Sequence, residues 1–222
     1  MQKRLKQIWL TSLALLLAAA FGPAHASEAP LESKDGIVVW KVPSKRIDLI
    51  GFKAQTVIDA PMKTVLATIM DTDNANEWIP STGRIDVIDR SRLSQGYAKL
   101  YYLIDMPFPL ADRDLVLTSR IEKDAKGNIR VANKLATDPA YPPSENLVRI
   151  KTYEGSWYLE PLGAKQTRVT LDGMADPGGA IPAWATNLFV TKQPTDMLKN
   201  MREQVKKKRY AKPELPFEFI DR

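Results

Sequence analysis

Two periods divide this chain. From Gly36 to Ala175 apolar residues mostly alternate with polar ones in short runs; beyond Asp176 they recur at spacings of three and four. The first pattern predicts strands and the second an amphipathic helix. Predicted strands cover Gly36 to Val42, Ile47 to Ile50, Phe52 to Ile58, Arg84 to Asp89, Gly96 to Asp105, Arg113 to Glu122, Ile129 to Thr137, Leu147 to Leu159 and Thr167 to Ala175. In the third of these, Phe52, Ala54, Thr56 and Ile58 alternate with Lys53, Gln55 and Val57, as in a strand buried on one face. The apolar phase of Leu147 to Leu159 shifts between Val148/Ile150 and Trp157/Leu159, which predicts a bulge near Gly155.

Turn residues separate most of the strands, including Ser94-Gln95-Gly96 and Lys126-Gly127-Asn128. Short turns between successive strands argue for an antiparallel meander. A helix is expected to start at Asp59-Ala60-Pro61, with proline at its first position and Val65, Leu66, Ile69 and Met70 as its stripe. A short helical turn should then carry Trp78. The long stretch from Asp176 to Arg209 reads as one helix, with Ile181, Trp184, Ala185, Leu188 and Phe189, then Leu198, Met201 and Val205, on one face. Pro194 inside it predicts a kink or break near Val190 to Gln193. A sheet with one apolar face needs a cover, so the fold class is α+β, with the sheet wrapped on this helix.

The first 26 residues stand apart. Lys3, Arg4 and Lys6 precede an apolar run from Ile8 to Phe21, and Ala24-His25-Ala26 supplies a cleavage pattern. These features predict a signal peptide cleaved after Ala26, hence a periplasmic or secreted protein. No Cys follows the run, so a lipoprotein anchor is not expected. Residues 27–210 then form one domain and residues 211–222 a tail, in which Leu215, Phe217, Phe219 and Ile220 are candidates to tuck onto the surface. Ser27 to Lys34 reads as polar and loose.

Charge and composition narrow the chemistry. Losing Lys3, Arg4 and Lys6 lowers the net charge from +6 to +3, which argues against nucleic-acid binding. The chain has no Cys, and its single His is His25. The mature protein would therefore lack disulfides, Cys nucleophiles, His-based triads and nearly all transition-metal sites except carboxylate ones. Gly178-Gly179 lacks the GxxxxGK pattern, so nucleotide binding is rejected. No cofactor and no metal are expected.

Four segments in order carry a resemblance: APMKTVLATIMD ending at Trp78, PFPLADRDLVLTSR, EGSWYLEPL, and TRVTLDGMADPGGAIPAWATN. Together they make the chain, from Gly36 to Arg209, similar to the START (StAR-related lipid-transfer) domains in their bacterial secreted form. The resemblance implies a helix-grip fold, in which a curved antiparallel sheet folds around a C-terminal helix and leaves a hydrophobic tunnel for one lipid. It also implies gates at Met106 to Leu110 and around Gly178 to Phe189. The wider superfamily includes aromatase/cyclase enzymes, so an enzyme, or an interaction module with a filled tunnel, remains the alternative.

Expected ligand contacts are Tyr101, Tyr102, Asp105, Phe108, Leu110, Arg113, Trp157, Ile181, Trp184, Ala185, Leu188 and Phe189. Arg113 with Asp105 would hold a ligand hydroxyl or headgroup, and the alternative is a structural ion pair anchoring the loop. Alternation puts Tyr102 and Tyr101 on opposite faces of their strand without saying which is inside. Phe108 and Leu110 either touch a membrane transiently or cap the tunnel mouth. Lys206 to Arg209 either steers toward anionic lipid or opposes the helix dipole. A monomer is expected.

Overall fold

The computed structural model describes residues 30–43, 50–179 and 181–217. The expected signal peptide, the segment Ile47 to Leu49, and Phe219 and Ile220 lie outside the described residues. Ten strands form one open sheet among those described: β1 (Glu32–Lys34), β2 (Ile37–Lys41), β3 (Ile50–Ile58), β4 (Thr82–Asp89), β5 (Tyr97–Ile104), β6 (Arg113–Lys123), β7 (Ile129–Ala136), β8 (Val148–Arg149), β9 (Thr152–Pro161) and β10 (Thr167–Asp176). Their order is β1-β2-β3-β10-β9-β7-β6-β5-β4, with β8 on the side of β6. Every neighbouring pair is antiparallel except β6 with β8. The meander predicted from the turns thus runs from β4 to β10, and the three N-terminal strands extend it beyond β10. Ser33 and Lys34, read as loose, belong to β1, where they pair with Val38 and Ile37.

Helix α1 (Met62–Met70) follows Pro61, which sits at the N-cap rather than at the first helical position. Its extended backbone (ψ 145°) launches the helix from β3. A 3-10 turn over Thr72–Glu77 is started by Asp71, whose side chain accepts from the Asn74 amide, and it delivers Trp78 into the core at 1% exposure.

The expected long helix is shorter at both ends. Strand β10 keeps its pairing as far as Asp176, opposite Thr152. Gly178 and Gly179 then turn the chain with φ of +68° and +67°, a region that L side chains rarely enter. Helix α2 (Ala183–Asn187) starts only after Pro182. A π-turn over Leu188–Lys192 joins it to α3 (Gln193–Gln204), closed by the Gln193 amide donating to the Leu188 carbonyl five residues back. Pro194 explains it: with no N–H it cannot close an ordinary turn onto Val190, and the backbone accommodates it by widening. The break thus falls where the proline predicted it.

The phase shift in Leu147 to Leu159 has a different cause from the one expected. No bulge lies at Gly155, which pairs in regular register with Gly173 and Asn133. The break is at Ile150-Lys151, between the two-residue β8 and β9. Glycine leaves room at 155: a Cβ there would come within 2.7 Å of the Tyr153 hydroxyl, which would have to shift.

The concave face of the sheet is solid at one end and hollow at the other. At the solid end Leu198 and Met201 of α3, both 0% exposed, pack with Val65 and Leu66 of α1, Ile129, Leu159, Val169 and the tail residue Phe217. Each such side chain contributes about 1.5–3 kcal/mol by burial. The hollow end lies under the π-turn and the first turns of α3.

Candidate functional site

The inward row of β6 is Arg113, Leu115, Leu117, Ser119 and Ile121, all buried. Its first three members line a cavity of about 220 Å³. Strand β5 adds Tyr102 and Ile104, β7 adds Asn133, and β9 adds Tyr153 and Trp157. The helix closes the top with Phe189, Gln193, Pro194 and Met197. Those four residues share a face because the π-turn brings Phe189 into line with α3. The lining is chiefly apolar, with a few polar groups, the usual composition of a site for a hydrophobic small molecule.

Burial in this apolar lining pushes the Tyr153 phenol up to about 12 and the Tyr102 phenol higher still, so both are neutral donors. The helix is latched to the opposite wall by Gln193, whose Nε2 donates to Ser81 Oγ at 2.8 Å. Ser81 itself occupies the left-handed region at φ 59°. Its carbonyl accepts from the Asp105 amide at 2.9 Å, which fixes the turn entering β4.

Arg113 holds the mouth. Its guanidinium donates to the carbonyl of Ala111 in the apolar loop. It also reaches the carbonyls of Pro177 and Gly178, each at 3.4 Å, in the turn before α2. One buried cation, at the start of β6 just after the first segment expected to be a gate, therefore bonds to the start of the second, while none of its partners lies within Met106 to Leu110. Burial lowers its pKa, opposed by the neighbouring Asp112. Asp112 in turn accepts from the Met106 amide at 2.8 Å and closes the base of the loop.

Four of the expected contacts line the cavity: Tyr102, Arg113, Trp157 and Phe189. The others do not. Asp105 is exposed, and its side chain packs by Gly83 rather than against Arg113. The reason is parity: Arg113 points inward on β6, while Asp105 follows the end of β5 on the outer side. Phe108 is 94% exposed and Trp184 47%, so neither caps the cavity. Leu110 and Ile181 are half-buried outside the lining. Ala185 is fully buried and Leu188 partly so, but both lie on a side of the helix that the cavity does not reach. The apolar stripe was drawn through Ile181, which precedes the helix, and across the π-turn, which rotates its two halves relative to one another.

Tyr101 is buried on the convex side. Its hydroxyl donates to Asp114 at 3.1 Å, and its ring lies 4.9 Å from Tyr141. Asp114, 1% exposed, receives two bonds of 2.8 Å from Arg149, which also donates to the carbonyls of Tyr141 and Pro142. The structural pair of this region is thus Arg149 with Asp114, and through Arg149 it pins the loop that carries Tyr141 and Pro142 onto the sheet. The expected bond between Arg113 and Asp105 is replaced by two separate devices on opposite faces. Tyr153, Asn133, Gln193 and Met197 were missed. Met197 lies one helical turn beyond Pro194, and its alignment with Phe189 depends on the π-turn between them, which spacing alone does not report.

The basic cluster also serves structure. Lys207 and Arg209 both pair with Glu77, and Lys206 pairs with Glu203. A hydrogen bond from Gln204, then the one from Lys207, holds the Glu77 carboxyl down at about 2. The cluster lies beyond the last turn of α3 and anchors the chain to the turn before Trp78 instead of opposing the helix dipole.

Comparison with known proteins gives a consistent result. The profile of the START domain family matches residues 28–210. An uncharacterised protein of Pseudomonas aeruginosa is 31% identical over 88% of this chain and 97% of its own length. The phosphatidylcholine transfer protein of Rattus norvegicus is 27% identical, over 77% of this chain and 80% of its own. Among solved structures, a STAR-related lipid transfer protein from Xanthomonas axonopodis superposes with a TM-score of 0.71 at 26% identity, covering 81% of this chain and 98% of that one. Human STARD10 has the same fold, with a TM-score of 0.70 at 23% identity, covering 80% of this chain and 72% of that one.

Proposed function

The chain belongs to the START domain family, and from that premise we propose that it carries one lipid at a time through the periplasm. The observation that carries this reading is the cavity between the hollow end of the sheet and the helix, apolar in its walls, with Arg113 bonded at its edge to the carbonyls of Pro177 and Gly178. Tail burial drives uptake at roughly 0.8 kcal/mol per CH₂, before the costs of ordering the ligand. The similarity to a phosphatidylcholine transfer protein supports a lipid as the ligand class. The apparent leader, Lys3 to Ala26, supports the location.

Exchange requires the mouth to open. The loop with Phe108 precedes Arg113 and the segment leading to Trp184 follows its partners Pro177 and Gly178, and each presents an exposed aromatic side chain. Exposed apolar groups beside a lipid-sized cavity suit a brief contact with a bilayer surface. Carriage is favoured over catalysis because the two cavity tyrosines are driven away from the pH range where a general acid or base works. Arg113, for its part, is committed to three carbonyls.

The test is native mass spectrometry of the protein purified from its own host, followed by extraction of what it holds. A single chemically unaltered lipid per chain is the expected result. An empty protein that takes up no lipid from vesicles would overturn the proposal, and a converted product would favour an enzyme.

A further inference from the structure

Beyond the ligand cavity the sheet is hollow a second time, in a space of about 210 Å³. The same elements border both spaces and pass from one to the other. On β5 the inward residues Leu100, Tyr102 and Ile104 stand opposite Leu117, Leu115 and Arg113 of β6. Leu100 borders only the second space and Ile104 only the first, while Tyr102 between them borders both. Strand β6 passes over between Leu117, in the first, and Ser119, in the second. On β7, Val131 belongs to the second space and Asn133 to both; on β9, Tyr153 belongs to the first and Trp157 to both. Before β4, Trp78 borders the second, Pro80 the first and Ile79 both. Residues that border both spaces lie between them. Ile79, Tyr102, Asn133 and Trp157 are therefore a waist between two chambers.

The second chamber has an aliphatic inner wall, with Leu93, Leu100, Ile121 and Val131. Its polar residues include Ser119 and Tyr97, and it opens beside Asp73 and Arg90, which are exposed. Protein interiors leave few voids larger than a water molecule, and apolar voids take apolar guests. A second such chamber joined to the first suits a guest longer than the first alone. The waist has one side chain able to give way. Asn133 and Trp157 are each 7% exposed, and the Trp157 ring packs 5.8 Å from that of Trp78. Tyr102 is larger than Ile79 and keeps accessible surface. Burial nevertheless pushes its phenol well above the usual value, so that surface opens into the chambers and not to solvent.

We propose that one unbranched aliphatic chain is held through this waist, with its body in both chambers and Tyr102 as the side chain that turns to admit it. The inference rests on the reading of the protein as a carrier and deepens it. It names a single long chain as the ligand, in place of a compact apolar molecule confined to the first chamber.

The test uses delipidated protein with octanoic, dodecanoic and hexadecanoic acid. Binding is followed by displacement of a fluorescent fatty acid and by methyl ¹H–¹³C signals assigned through substitution. Ile104 and Leu115 report the first chamber, and Leu100 and Val131 the second. Octanoic acid should move one set of methyl signals and hexadecanoic acid both. Affinity should climb with length by up to about fourfold per carbon. Tyr102→Trp, which plugs the waist, and Leu100→Trp, which fills the second chamber, should each flatten that climb and leave Val131 unmoved by hexadecanoic acid. Hexadecanoic acid moving one set only, or octanoic acid moving both, overturns the threaded chain and leaves the carrier reading intact. A full climb in Tyr102→Trp removes Tyr102 as the admitting side chain. Should that variant not fold, Tyr102→Leu reads the same role: it should speed the arrival of hexadecanoic acid at Val131, and an unchanged rate removes the role. Signals that no acid moves in either chamber remove the carrier reading and this one together.

Discussion

Replacing Arg113 by Met removes the tie across the cavity mouth while keeping a long apolar stem in its place. The bond to Ala111 is local, so only the bonds to Pro177 and Gly178 cross from β6 to the turn before α2. Hydrogen bonds from a charged donor contribute about 1.5–3 kcal/mol each, but at 3.4 Å these two are long, and about 1 kcal/mol apiece is the fairer figure. Losing about 2 kcal/mol from the closed state raises the open population roughly 30-fold, at about 1.4 kcal/mol per factor of ten. If opening limits lipid exchange, transfer of a fluorescent lipid between vesicles should accelerate by that factor. Global stability should change little, because exchanging a buried charge for an apolar group of similar length is often neutral. Hydrogen exchange should rise in residues 106–112 and 177–182 together. Unchanged protection in 177–182 would refute the tie. Raised protection loss with unchanged transfer would refute opening as the limiting step.

On the convex face, Asp114→Asn should cost about 3–5 kcal/mol, because Arg149 is left buried without its partner, and at about 2–4 °C per kcal/mol calorimetry should record a drop near 10 °C. Lipid affinity should survive that variant, since neither residue lines the cavity. Phe108→Asp should leave the melting temperature within experimental scatter, given its exposure, and slow transfer from vesicles; unaltered transfer would remove the loop from the exchange step. Pro194→Ala should allow the π-turn to relax toward an ordinary helix, turning Phe189 by about 100° relative to Met197, and weaken lipid binding measurably. Tyr153 and Tyr210, both pushed up to about 12, keep their protons in the folded chain while the unfolded chain loses them near 10. Their contribution is complete below pH 10 and lost as pH rises through 12, so tyrosinate absorbance and loss of structure should appear together. Glu77 works in the opposite sense: its support is present above pH 4.5 and lost as pH falls toward 2, visible as a falling melting temperature over that window.

Strand positions were legible because alternation reports burial directly, and β3 kept its predicted parity from Phe52 to Ile58. Pro194 was legible because a missing N–H has a fixed consequence four residues back. The start of the helix was not, since DPGGAIP carries apolar residues at helical spacing while the glycines turn the chain. Gly155 misled for a related reason: a strand glycine signals either a bulge or a close approach, and only the position of the Tyr153 hydroxyl separates the two. Partners across the sheet were beyond reach. Arg149 lies 35 residues from Asp114, and nothing local marks the pair, whereas Asp105 was near enough in sequence to Arg113 to suggest a bond that strand parity forbids.

The helix break and the sheet's two hollows belong to one arrangement. An unbroken α-helix from Ala183 to Gln204 would hold a single stripe, and that stripe could serve either the solid core or the cavity. The π-turn divides the labour. Below it, Leu198 and Met201 face the packed end and fix the helix in place. Above it Ala185, and within it Val190, are buried, and Trp184 is turned outward. At the junction Phe189, Gln193, Pro194 and Met197 lie over the cavity, held there by the bond from Gln193 to Ser81 and by the bond from Thr195 to Glu32 of β1. If this segment is the moving part of the exchange proposed above, burial worth several kcal/mol fixes its far end, while hydrogen bonds worth about 1 kcal/mol each hold the part over the cavity.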